Sequence, residues 1–95
     1  MEKIYLIFKK NQEYLAYDNL YIDEYFASKE DAIKYLKDLC KSKGFQEKDI
    51  HLYHNEFYKE TLVYINKYNK QLNSVSEIYE DAIYSYCIAE ISKHI

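Results

Sequence analysis

Apolar and polar positions change period along this chain, and each change marks an element. "KIYLIFKK" (3–10) runs β-branched and aromatic residues together and reads as a buried strand. A loop at Asn11-Gln12 closes a hairpin onto "EYLAYDNLYIDEYF" (13–26). That second stretch is either one long strand or one interrupted at Asp18-Asn19, its only turn chemistry. The period then becomes helical. "SKEDAIKYLKDLCKSKG" opens on Ser28, which is placed to cap the first amides, while Glu30 and Asp31 sit at the positive end of the helix dipole. Ala32, Leu36, Leu39 and Cys40 make an inner stripe with Ile33 at its edge, and Lys34, Lys37 and Lys41 share the outer face. Lys41 and Lys43 suit the last turn, and Gly44 supplies the left-handed C-cap.

Beyond Gly44 the pattern is less decisive. In "NEFYKETLVYINKYNKQL" (55–72), Tyr58, Leu62, Ile65 and Leu72 recur at helical spacing behind Asn55 as cap, which predicts a second helix. "TLVYI" taken alone also reads as a strand. Ser74, with Glu77 three residues on, opens a short helical turn around 75–81. "AIYSYCIAEI" (82–91) fits two templates: Tyr84, Ile88, Ile91 and Ile95 make a helical stripe, whereas Ile83, Cys87, Ala89 and Ile91 share one face of a strand. Apolar residues on both faces, rich in Ile and Tyr, favour a buried strand. No repeat, low-complexity segment or Pro/Gly/Ser linker divides the chain, so residues 1–95 form a single expected domain. Its expected class is α+β, a small antiparallel sheet from an N-terminal hairpin and a closing strand, covered by two helices.

Composition adds an origin. The 95 residues include 13 Tyr, one Gly and neither Pro nor Trp, and all 13 basic residues are Lys. Abundant Lys, Asn, Ile and Tyr beside scarce Arg, Pro and Gly is the usage of an AT-rich coding sequence, pointing to a low-GC bacterium or one of its phages. Cys40 and Cys87 stand far apart in apolar surroundings, which suits reduced thiols better than a disulfide framework. "MEKIYLIFKK" is too short an apolar run for a signal peptide, and no stretch approaches the roughly 18 apolar residues of a membrane span. The expected location is the cytoplasm of a bacterial host cell, away from membranes.

The order of these segments is similar to that of a known class. "KIYLIFKK", a polar hairpin, "EYFASKEDAIKYLKDL" and a closing "YSYCIAEI" resemble short phage and mobile-element proteins of low-GC bacteria, in which a leading hairpin and a closing strand flank one capped helix. The resemblance implies that origin and a host-interfering, anti-CRISPR-like role. It carries over no catalytic residue.

Few residue groups in the chain suggest chemistry. "DIHLYHNEFY" (49–58) places His51 and His54 three apart beside Asp49 and Glu56. On a helix the two histidines share a face without Glu56; on a strand they point oppositely and Glu56 aligns with His54. Neither case gathers the three protein ligands of a catalytic zinc, so no metal site is expected and the stretch reads as an aromatic seam. Cys40 and Cys87 are too apolar in setting to be nucleophiles. One glycine cannot build a phosphate-cradling loop, and no Gly-x-Ser-x-Gly or His-Glu-x-x-His occurs. Nucleic-acid binding is disfavoured by the absence of Arg and a net charge of −3.

The charge pattern favours a protein partner instead. Residues 11–28 carry Glu13, Asp18, Asp23 and Glu24 without one Lys, interleaved with tyrosines. Tyr14, Tyr17, Asp18, Tyr21, Asp23, Glu24 and Tyr25 are therefore the expected partner-binding residues, directed at a basic protein surface. The expected function is a small non-enzymatic binding protein that inhibits a host defence protein and needs no cofactor. The rival readings are a homo-oligomeric structural or accessory protein using the same tyrosines, and a metal-dependent enzyme around His51 and His54.

Overall fold

The computed structural model describes residues 2–9, 25–66 and 68–93. They contribute β1 (Glu2–Lys9), α1 (Lys29–Ser42), a 3-10 turn (Glu47–Asp49), β2 (His51–Asn55), β3 (Glu60–Asn66), α2 (Val75–Asp81) and β4 (Ala82–Lys93). The strands form one four-stranded sheet in the order β1-β4-β3-β2, with every pairing antiparallel. The longest strand, β4, therefore lies inside the sheet, with Ile7 opposite Ile88 on one side and Leu62 opposite Cys87 on the other.

Alternation along these strands builds two cores. Ile7, Val63, Ile65, Tyr86 and Ile88 project to one face and bury against Ala32, Leu36 and Cys40 of α1. Leu62, Tyr64 and Cys87 project to the other and bury against Ile78 of α2 and Leu72 of the preceding loop. Both faces of β3 and β4 are thus covered, which is why these strands read as unbroken apolar runs. Cys40 and Cys87 lie in separate clusters across the sheet, so no disulfide joins them.

α1 matches its expected capping. The Ser28 hydroxyl accepts from the Asp31 amide at 3.1 Å, Ala32, Leu36 and Cys40 are fully buried, and Gly44 takes φ +99° just past the helix end. Leu39 and Ile33 pack at the margin of the same core. The second part of the chain corrects one expectation and meets another. Residues 55–72 are not a helix: they hold the end of β2, a turn, β3 and a loop. The helical spacing of Tyr58, Leu62, Ile65 and Leu72 is a coincidence of a doubly covered strand, since Leu62 and Ile65 serve opposite cores and Tyr58 is exposed. The short helix at 75–81 followed by a strand is present, with the Ser74 hydroxyl accepting from the Glu77 amide at 3.2 Å. The sheet is accordingly faced by α1 on one side and, on the other, by the two-turn α2 in place of the helix expected at 55–72.

At the β1 edge, Phe26 exchanges both backbone hydrogen bonds with Tyr5, each 2.9 Å, as an isolated antiparallel bridge. The remainder of the predicted return strand lies outside the described residues. No helix among the described residues is long and apolar enough to cross a membrane.

Candidate functional site

The β2–β3 hairpin turns through Glu56, Phe57, Tyr58 and Lys59. Asn55, expected as a helix cap, instead organises this turn: its side-chain oxygen accepts from the Tyr58 amide at 3.5 Å. Lys59 closes it at φ +54°, a left-handed conformation disfavoured for a residue with a Cβ. The Lys59 carbonyl accepts from the Glu90 amide at 3.0 Å, which ties the turn to β4. The result is a braced tip that holds two large rings in solvent. Phe57 is 85% and Tyr58 65% exposed, packed edge to face with centroids 4.8 Å apart.

Behind the tip a cleft of about 530 Å³ opens on the α1 side of the sheet. Asn55, Glu56, Lys59 and Glu60 form its rim at the hairpin, Lys29 closes it at the start of α1, and Lys3 and Tyr5 wall it along β1. Ile88, Thr61, His54 and Glu90 line the sheet surface between them. Glu90 is the organising carboxylate: Tyr5 donates to its Oε1 at 3.3 Å, and Lys3 Nζ lies 3.7 Å from its Oε2. Burial and then the Glu90 charge push the Tyr5 hydroxyl above its ordinary pKa, so it stays a neutral donor. His54 Nδ1 is 3.1 Å from the Thr61 hydroxyl directly across the hairpin.

His51 faces the other way. It stacks on Tyr64 at 5.5 Å between centroids, and its Nε2 is 3.0 Å from Asn69 Oδ1, whose amide nitrogen in turn donates to Asp49 at 3.1 Å. The strand thus separates the two histidines, leaving His54 in the cleft with Glu56 and His51 in a polar seam with Asp49. Among the described residues, no three His, Cys, Asp or Glu side chains gather as a metal-binding group. Burial raises the Cys40 thiol above its ordinary pKa, keeping it protonated.

Of the sequence-derived partner residues, Tyr25 is 57% exposed, next to the Phe26–Tyr5 bridge at the wall of the cleft. Tyr14, Tyr17, Asp18, Tyr21, Asp23 and Glu24 lie outside the described residues. The alternative Lys face of α1 is largely engaged: Lys37 and Lys41 pair with Glu47 at 2.7 and 2.8 Å, and Lys34 with Asp38 at 3.0 Å. Sequence reasoning missed Phe57 and Tyr58, though two runs compatible with strands, "HLYHN" and "ETLVYI", flank a turn headed by Asn55. No local signal announced the cleft, whose walls come from separate elements joined by strand order. Comparison with known proteins finds no matching family, no matching curated protein and no matching solved structure.

Proposed function

We propose that this chain acts by binding another protein with a basic surface, not by catalysis, and uses aromatic side chains set among carboxylates. The observation that carries this reading is the hairpin tip. Solvent-exposed Phe57 and Tyr58, packed edge to face on a turn tied to β4 and adjoined by Glu56 and Glu60, offer a large aromatic area to a partner. The stretch Tyr14, Tyr17, Asp18, Tyr21, Asp23, Glu24 and Tyr25 offers the same chemistry, and Tyr25 adjoins Phe26, which bridges to Tyr5 at the wall of the cleft. Aromatics supply lasting affinity, while the acids steer a Lys/Arg-rich partner. Following the resemblance to phage and mobile-element proteins, the target is a defence protein of the bacterial host, met in its cytoplasm. Two buried thiols in separate cores suit that reducing compartment.

The test is capture from host lysate on the immobilised chain, run beside a Phe57→Ala/Tyr58→Ala variant. Both substitutions fall on exposed positions, so the variant keeps its fold. A defined protein retained by the wild type and lost from the variant supports the reading. Capture that survives both this change and Asp23→Lys/Glu24→Lys would remove it. A dimeric mass for the wild type alone, monomeric in the tip variant, would favour self-association instead.

A further inference from the structure

We propose that the cleft behind the hairpin tip binds a small acidic zwitterion, of the acidic amino-acid or dipeptide class, with its carboxylates met by Lys29 and Lys59 and its ammonium by Glu56. The volume, about 530 Å³, falls in the range of small-ligand pockets, roughly 300–1,000 Å³. Lysines and glutamates line it in equal number, but they are not equally available. Glu90 already holds Lys3 and the Tyr5 hydroxyl, and Glu60 has an interaction of its own. Lys29, Lys59 and Glu56 make no ion pair with any described residue.

Two uncommitted cations and one uncommitted anion therefore face a shared space. A ligand of a single sign would leave the charge of the opposite sign without a partner in the cleft. Two carboxylates and one ammonium complement all three. Between them, His54, Thr61 and the apolar floor of Ile88 suit the amide and short aliphatic portion of such a molecule. The inference does not rest on the protein-binding reading, which is carried by Phe57 and Tyr58 and shares only the rim carboxylates Glu56 and Glu60 with the cleft.

The experiment is an NMR titration of the isotope-labelled full chain with glycyl-glutamate, its N-acetyl form, glycyl-lysine and inorganic phosphate. Glycyl-glutamate should shift the signals of Lys29, His54, Lys59 and Thr61 with a dissociation constant on the order of millimolar. The acetylated form and glycyl-lysine should bind about tenfold more weakly, with phosphate weaker than glycyl-glutamate. Lys59→Gln should weaken glycyl-glutamate about tenfold, and Glu56→Gln should erase the difference between its free and acetylated forms. Circular dichroism and thermal unfolding of both variants should match the wild type. No saturable shift at concentrations on the order of 10 mM would overturn the proposal. So would equal affinity for glycyl-lysine, the acetylated dipeptide or phosphate.

Discussion

Leu36 is the largest of the fully buried side chains that α1 sets against the sheet, in one cluster with Ile7, Val63, Ile65 and Ile88. Truncating it leaves a cavity that the rigid strands cannot close, so Leu36→Ala should cost about 2–5 kcal/mol by chemical denaturation. That is a large share of the total stability of a domain this size. A cost below about 1 kcal/mol would mean that α1 presents another face to the core. Glu47 poses a different question at the same scale. Hydrogen bonds from Lys37 and then Lys41 hold its carboxyl at about 2, well below the ordinary carboxylate range. A depressed pKa contributes stability that is present above the unfolded value and is lost as pH falls through the folded one. The advantage of wild type over Glu47→Gln should therefore be full near neutrality and fade as pH drops from about 4.5 towards about 2. Because the group is exposed, added salt should shrink that advantage too. A difference that stays constant across acid pH would place the effect of Glu47 elsewhere.

At the scale of elements, the hairpin β2–β3 carries the most consequence. Its turn ends on Lys59 in the left-handed region, where glycine is free of the Cβ clash. Lys59→Gly should thus be stabilising by a few tenths to about 1 kcal/mol, after allowance for the greater freedom of glycine in the unfolded chain. Urea unfolding would read the change as a raised midpoint; a lowered one would contradict the turn geometry. This hairpin also marks the limit of what the sequence discloses. α1 was legible from end to end because Ser28, Asp31 and Gly44 act within a few residues of where they stand. β3 was not, because a strand covered on both faces loses its alternation, and the covering of Leu62 and Tyr64 by α2 is a fact of the tertiary fold. β4 was recovered from its two-sided apolarity, the same feature that hid β3. The tip and the cleft follow this logic. Once β3 is a strand, Phe57 and Tyr58 must sit at a turn, and Lys3, Lys59 and Glu90 meet only through the order β1-β4-β3-β2, with Lys29 added by the start of α1.

For the whole molecule, a small sheet faced by a helix on each side presents the hairpin tip, with the cleft beside it, as an ordered aromatic and charged surface. The central claim is that this surface, with the acidic tyrosines of residues 14–25, grips a basic protein. Association and dissociation rates separate the two contributions, because steering acts on encounter and anchoring acts on residence. The decisive measurement is the pair of rate constants for the captured partner over a range of salt, on wild type and two variants. The account predicts that Phe57→Ala/Tyr58→Ala dissociates about tenfold faster or more, with little change in association, as hot-spot loss requires. It predicts that Asp23→Lys/Glu24→Lys associates more slowly and with a flatter salt dependence, since screening acts on the charges it removes. Rates unaltered in both variants would contradict it and would move the search to the Lys34, Lys37 and Lys41 face of α1.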